Sequence, residues 1–300
     1  MAPGASRSPG CRSWPHQSVP RRRTPAPRWP AAVIVAAAQL RLRIGDLVGN
    51  RFSARRAIED AAVAGARLIV LPELTASGYV FADQAEAITL SEDLTGPTVT
   101  EWAELAAAHD LVIVGGVAER AAGGALFNTA VVVDSTGLRA SYRKAHLWDR
   151  EKEVFIPGDS RPVLVDTAVG RIAVMVCYDL EFPEWMRFAA LGGAEIVCVP
   201  TNWPHAPRPE GERPGEVVRA QAAASTNRVY LIAADRCGAE RGVSWTGGSA
   251  IIDPDGFAVA GPVSADEPAL LIADIDPARA RVKSVSDRNH VFDDRRLDLY

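Results

Sequence analysis

Glu73, Lys144 and Cys177 are a carboxylate, an ammonium and a thiol, far apart in the chain, that together could run nucleophilic acyl transfer. The thiolate is the reactive form of cysteine, so a cysteine nucleophile needs a base or a cationic neighbour. Histidine is the usual partner, but no convincing Cys–His pair exists. His16 lies in a Pro- and Arg-rich leader, His109, His205 and His290 fall at a helix end, a loop and the tail, and only His146 lies in a tract of interest. A carboxylate supported by a lysine is the alternative. The lysine lowers the thiol pKa and can hold a tetrahedral oxyanion. The carboxylate can take the thiol proton and return it to a leaving amine. Taken singly, each residue also has a plainer reading: Cys177 as a small buried hydrophobe, Glu73 as a solvated loop acid, Lys144 as a surface cation.

The elements that must position these groups can be read from periodicity. Residues 67–71 form an apolar run stopped by Pro72, so Glu73 sits just past a strand's C-terminal end. Lys144 closes the second of two strands, 125–134 and 138–144, joined by the turn signal Asp134-Ser135-Thr136-Gly137. Cys177 follows the apolar strand 171–176 and precedes a helix over 183–191. Strand ends on one edge of a sheet open on a common crevice, so the three groups can meet. A thiol at such a strand-to-helix bend can be presented with the Tyr178 N–H behind it as an oxyanion donor.

The alternation continues through strands at 32–39, 111–115, 195–199, 229–234 and 269–274, and helices at 51–64, 97–109 and 216–227. A hairpin is expected over 249–260, around Asp253-Pro254-Asp255-Gly256. βα alternation mixed with hairpins predicts an α/β fold with two stacked sheets covered by helices.

Composition narrows the classes. Hydrophobic residues at 48% and charged residues at 23% suit an ordinary globular chain, and 300 residues can bury a core without disulfide or metal. A net charge of −4 argues against a broad nucleic-acid surface. Cys11, Cys177, Cys198 and Cys237 show no CxxC pairing and no metal-ligand spacing, which reads as reduced and cytoplasmic, with no metal or organic cofactor. No apolar stretch is long enough to span a membrane. Residues 1–30, dense in Pro, Arg and Ser, are expected to be a disordered extension ahead of a domain over 31–300. A twin-arginine signal around Arg21-Arg22-Arg23 is the rival reading, but the apolar run after it serves better as the first strand.

The three tracts together resemble the nitrilase superfamily of carbon–nitrogen hydrolases, across residues 32 to 300. The glutamate motif is similar to Leu71-Pro72-Glu73-Leu74 with Ser77-Gly78-Tyr79 behind it. The lysine motif resembles Tyr142-Arg143-Lys144-Ala145-His146-Leu147, and the cysteine motif Val176-Cys177-Tyr178-Asp179-Leu180-Glu181-Phe182-Pro183-Glu184. Asn128-Thr129-Ala130, Phe155-Ile156-Pro157-Gly158-Asp159, Pro200-Thr201-Asn202-Trp203 and Asn227-Arg228-Val229-Tyr230 are secondary matches. The resemblance implies an αββα sandwich of two stacked mixed sheets flanked by helices. It implies Glu73 as general base, Lys144 as oxyanion stabiliser and Cys177 as acylated nucleophile. A second glutamate, Glu151 with Glu153 as fallback, would orient the lysine and substrate.

True nitrilases typically carry Cys-Trp-Glu where this chain has Cys177-Tyr178-Asp179, so the resemblance favours amidase or carbamoylase chemistry. Dicarboxylate-monoamide enzymes tend to have arginine at the position of Glu181; an acid there would repel a second substrate carboxylate and could attract an amine. The bland alternative is that Glu181 pairs with an arginine such as Arg187. Tyr79, Tyr178, Glu181, Asn202 and Trp203 are the expected substrate contacts, with Trp148 and Trp245 as further candidate walls. The expected reaction is hydrolysis of a small aliphatic amide through a thioester, releasing ammonia. An N-carbamoyl amidohydrolase and a non-catalytic binding member of the family are the competing readings. The tail 284–300 resembles the family segment that crosses onto a neighbouring subunit, which implies a homodimer or higher homo-oligomer.

Overall fold

In the computed structural model, which describes residues 32–263 and 266–299, the expected strands and helices assemble into two sheets with helices outside them. The extension expected over residues 1–30 lies outside the described residues. The first half of the chain runs β1 (Val33–Gln39), α1 (Leu47–Val63), β2 (Leu68–Val70), α2 (Gln84–Leu90), α3 (Pro97–His109), β3 (Val112–Arg120), β4 (Leu126–Asp134) and β5 (Gly137–Arg143). The second half runs α4 (Glu151–Val154), β6 (Val163–Thr167), β7 (Gly170–Val174), α5 (Pro183–Leu191), β8 (Ile196–Pro200), α6 (Gly215–Asn227) and β9 (Tyr230–Ala234). Further strands follow: β10 (Ala239–Glu240), β11 (Val243–Ser244), β12 (Ala250–Ile252), β13 (Ala258–Ala260), β14 (Ala269–Ile275), β15 (Ser284–Ser286) and β16 (Asn289–His290).

One six-stranded sheet has the order β14-β1-β2-β3-β4-β5, and the other β13-β12-β9-β8-β7-β6. In each, a parallel centre is flanked by antiparallel strands: β1-β2-β3 in the first, β7-β8-β9 in the second. Alternation explains the stacking. Val33, Val35 and Ala37 of β1, with Val112 and Val114 of β3, join the same core as Ile172, Val174 and Val197 of the second sheet. The alternate residues Ala36, Ala38, Ile69 and Ile113 face away and pack under Ala54, Ile58 and Ala61 of α1 and Trp102 and Leu105 of α3. Helices α5 and α6 cover the second sheet through Met186, Ala189, Val217 and Ala220. Each central strand is buried on both faces, which is why these strands read as unbroken apolar runs.

Three of the elements that differ from expectation have a plain physical reason. Helix α1 starts at Leu47, one turn early, because the Asp46 side chain accepts the Gly49 N–H at 2.9 Å and caps it. Strand β6 was not expected: it is an edge strand, with Leu164 and Asp166 exposed, so its apolar signal is diluted. Helix α2 was not expected either; its seven residues bury Ala87 alone, too little for a period to register. Among the described residues, no helix is long and apolar enough to cross a membrane.

Candidate active site

The Glu73 turn is pinned to β3 by backbone. Leu71 donates to Val114 at 2.8 Å, Gly116 to Pro72 at 3.0 Å, and Thr75 to Gly116 at 2.8 Å. The approach is so close that a Cβ on Gly116 would lie 2.4 Å from the Leu74 nitrogen and 2.6 Å from the Glu73 Cα. Glycine is required there by contact rather than by φ. Lys144 directly follows β5, with its N–H on Asn128 at 2.8 Å and its carbonyl accepting from Gly158 at 2.8 Å. Cys177 opens a single 3-10 turn, Cys177–Glu181, at φ 47°. A left-handed conformation costs a non-glycine residue roughly 1–2 kcal/mol, so the surroundings must hold it.

Side chains from these three ends meet in the interior. The Lys144 ammonium donates at 2.7 Å to Glu73 Oε1 and at 2.7 Å to Glu151 Oε1. Asn128 adds a bond to Glu73 Oε1 at 2.6 Å, and the Tyr79 hydroxyl one to Glu151 Oε1 at 2.5 Å. The second oxygen of Glu151 accepts the Trp148 N–H at 3.0 Å. The second oxygen of Glu73 is buried and has no hydrogen-bond partner among the described residues. Asn202 spans the site: its amide donates to the Glu73 carbonyl at 2.9 Å, and its own carbonyl faces the Cys177 Sγ at 3.8 Å. Lys144 and Glu73 have no exposed side-chain surface.

Depth sets the protonation states. Burial pushes the Glu73 carboxyl up from 4.5 to about 7; the Lys144 charge opposes this and the Glu151 charge adds to it. Burial and the Glu73 charge hold the Cys177 thiol well above its ordinary value, against the opposing pull of Lys144 and of the neighbouring Thr201 and Asn202. Burial works against the Lys144 ammonium, yet Glu151, Glu73 and Cys177 more than offset it and its pKa is raised. The resting site is therefore a neutral thiol, a fixed cation, and a carboxyl poised near neutrality with an open lone pair. Such a set can move one proton from sulfur to carboxylate while an ammonium faces the charge that develops.

A cleft of about 190 Å³ opens beside Glu151, lined by Tyr79, Phe81, Trp148, Phe155, Pro204 and Val243 among others. Of the expected substrate contacts, Tyr79 lines this cleft and Asn202 touches both Glu73 and Cys177. Tyr178 stands edge-on to Trp148 with ring centroids 4.9 Å apart. Glu181 and Trp203 do not line this cleft. The Glu181 carboxylate pairs with Arg219 at 2.8 Å, not with Arg187, and is more than a third exposed. The Trp203 ring packs in the core and would meet a Cβ on Gly248 at 3.1 Å, while the Trp203 backbone N–H is held by Asp235 at 3.0 Å. Of the two candidates for the second glutamate, Glu151 is bonded to Lys144 and Glu153 to the surface Arg150. Trp245 is buried, edge-on to Tyr79 at 5.3 Å. Among the described residues, no cluster of three or more His, Cys, Asp or Glu is placed to hold a metal ion.

Sequence reasoning gave no role to Asn128, Thr201, Asp235 or Glu240. A polar Asn-Thr pair inside the buried run of β4 was a usable signal for Asn128, since buried polar side chains need partners. Asp235 binds the N–H groups of Trp203, Arg236 and Gly248 and so fastens the loop after β8. Glu240, paired with buried Arg236, accepts the N–H groups of Tyr79 and Val80 at 2.9 and 2.7 Å. Nothing local in sequence marks either acid.

Mixed sheets of this topology, covered by helices and carrying a buried acid–lysine–cysteine meeting point, define a hydrolase of the nitrilase type. The family model for carbon–nitrogen hydrolases matches residues 34–283, and the chain belongs to that family, within the nitrilase superfamily. It is 37% identical over 271 residues to a nitrilase of Pyrococcus abyssi, covering 89% of this chain and 99% of that one. It is 34% identical over 219 residues to an (R)-stereoselective amidase of a Pseudomonas species, covering 73% and 76%. A solved amidase from Nesterenkonia sp. superposes with a TM-score of 0.72 at 27% identity, covering 89% of this chain and 94% of that one. A variant of the Nesterenkonia sp. AN1 amidase carries the acetamide moiety of fluoroacetamide covalently at its active-site cysteine; it matches with a TM-score of 0.73 at 27% identity, covering 92% and 98%. The chain is thus a carbon–nitrogen hydrolase acting on amides with a cysteine nucleophile.

Proposed function

We propose that the substrate is a small aliphatic amide and that Cys177 is the nucleophile. The observation that carries this reading is the single buried ammonium of Lys144, 2.7 Å from Glu73 and from Glu151, beside the Cys177 thiol. Cys177 attacks the amide carbon as Glu73 takes the thiol proton on its open oxygen. Lys144 and the Tyr178 N–H hold the oxyanion. Glu73 passes its proton to the leaving nitrogen, ammonia departs, and a thioester remains on Cys177. Glu73 then draws a proton from water as the water attacks the thioester; the carboxylic acid leaves and the proton returns to the sulfur. Glu151 keeps Lys144 oriented, with Tyr79 donating to it.

The cleft supports an uncharged acyl group. Its walls are mainly aromatic and aliphatic; of the three charged residues that line it, Arg150 is engaged by Glu153 and the Ala82 carbonyl, Glu151 by Lys144 and Tyr79, and Asp149 is exposed to solvent, where it disfavours an anionic acyl group. Glu181, spent on Arg219, gives no support to an amine-bearing substrate. Neighbouring amidase structures hold acrylamide and butyramide, which agrees with a short neutral acyl chain. We also infer a homo-oligomer: Leu297 and Leu299, set in a charged tail, are largely exposed, and such side chains gain by being covered by a partner copy.

An ammonia-release screen over aliphatic amides, N-carbamoyl compounds and nitriles, with intact-mass detection of the acyl adduct, tests this. Turnover of short amides, with the matching acyl mass on Cys177 and none in Cys177→Ala, is expected. Preference for N-carbamoyl compounds or nitriles would overturn the substrate assignment. No turnover on any panel member would overturn the catalytic one.

A further inference from the structure

Asp179 has no exposed surface, yet both its oxygens are filled. Oδ1 accepts the His146 backbone N–H at 3.0 Å and stands 2.7 Å from His146 Nδ1. Oδ2 accepts the Tyr142 hydroxyl at 2.8 Å and the Val176 N–H at 3.0 Å. Trp185 Nε1 donates to the Tyr142 oxygen at 2.9 Å, which turns that hydroxyl's own hydrogen toward Asp179. These partners come from two places only. Val176 immediately precedes Cys177, and Tyr142 and His146 stand two residues on either side of Lys144.

We propose that Asp179 is a positioning residue that fixes the Lys144 ammonium relative to the Cys177 sulfur, by tying the lysine strand and the cysteine turn to one carboxylate; this rests on the roles given to those two residues above. On the cysteine side, the bond from Val176 closes the 3-10 turn and holds Cys177 in its left-handed conformation. On the lysine side, Lys144 lies two positions beyond Tyr142 and just past β5, with its N–H still on β4, so strand alternation puts both on the same face. His146 is clamped in place by stacking on Phe182, with ring centroids 3.7 Å apart, and by the edge of Trp185 at 4.4 Å. A buried carboxylate is expensive for stability alone, since well-packed apolar groups do as well or better. Its worth lies in geometry: four bonds converge on one rigid group, and an error of about 1 Å at a reacting centre can cost roughly 100-fold in rate.

Asp179→Asn keeps the volume but turns one acceptor into a donor, which then faces a backbone N–H or the Tyr142 hydroxyl. The test is a double-mutant cycle of Asp179→Asn with Lys144→Met, read by kcat, by KM, and by the pH midpoint of Cys177 alkylation with iodoacetamide. Asp179→Asn alone is expected to lower kcat by about 100-fold with KM little changed, and to move the alkylation midpoint toward that of Lys144→Met. In the Lys144→Met background the same change should cost no more than about twofold, the usual limit of additivity. A full additional loss there, or wild-type kcat and midpoint in Asp179→Asn, overturns the proposal. Should Asp179→Asn fail to fold, Tyr142→Phe and His146→Ala each remove one arm and must show the same pattern more weakly; wild-type kinetics and midpoint in both also overturn it. Turnover surviving in Cys177→Ala would instead sink the underlying catalytic reading. An inactive Cys177→Ala beside an unaffected Asp179→Asn sinks only the positioning role.

Discussion

Lys144→Met takes a positive charge from a fully buried position and leaves the volume almost unchanged. Two carboxylates at 2.7 Å, with side chains 0% and 4% exposed, then face each other without their cation. Removing one partner of a buried ion pair costs about 3–5 kcal/mol, because the remaining charge cannot reach water. For a domain of this size each kcal/mol moves Tm by roughly 2–4 °C, so a fall of about 6–20 °C is expected at pH 8. The sign of its pH dependence follows from Glu73. That carboxyl already sits at about 7 through burial, with Lys144 pulling it down, so loss of the lysine raises it further. A group whose folded pKa lies above its unfolded value favours the folded state at low pH and loses that contribution as pH rises. The deficit should therefore be largest at pH 8 and shrink toward the unfolded carboxylate pKa of about 4.3. Melting curves of both proteins at pH 8 and pH 5.5, by circular dichroism, give the comparison. Equal deficits at the two pH values would refute the account of buried carboxylates. Turnover should fall by about 100- to 1000-fold, the range for an oxyanion donor. A destabilised variant with near-normal turnover would keep the electrostatics and discard the catalytic role.

Other perturbations test the site from different sides. With Glu73 as the base at a pKa of about 7, kcat/KM should drop about tenfold per unit well below that pH, as protonation removes the acceptor; a flat profile from pH 5 to 8 would remove Glu73 from that role. Glu181→Gln breaks only a half-exposed pair with Arg219, worth about 0–1 kcal/mol, so KM for neutral and for amine-bearing amides should stay within about twofold. A selective tenfold rise for the amine-bearing substrates would restore Glu181 as a substrate contact. Gly116→Ala puts a methyl 2.4 Å from the Leu74 nitrogen, so the Glu73 turn must shift. A stability loss of about 1–3 kcal/mol and a larger fractional loss of kcat are expected, and unchanged kinetics would show the turn to be more yielding than its contacts suggest.

What the sequence made legible is what local pattern encodes. Unbroken apolar runs announced the buried strands, proline and the strand ends placed Glu73, Lys144 and Cys177 at one edge, and the family resemblance preferred Glu151 to Glu153. Partnerships across the chain were not legible. Glu181 found Arg219, 38 positions away, where an arginine six positions on was the nearer guess. Trp203 packs its ring in the core, and Asp235, 32 positions on, holds its backbone N–H. The electrostatics were hidden most deeply, because they follow from depth and not from residue type. A Cys–His pair can hold a standing thiolate; here burial and the Glu73 charge keep the Cys177 thiol protonated at rest. The proton can then leave only as the bond to carbon forms, and its acceptor must be a group near neutrality already in place. Glu73 meets that condition because it is buried, with one oxygen tied to Lys144 and Asn128 and the other open. The absence of a histidine partner, which counts against a cysteine nucleophile when only residue types are read, is in the proposed mechanism what a neutral buried thiol requires.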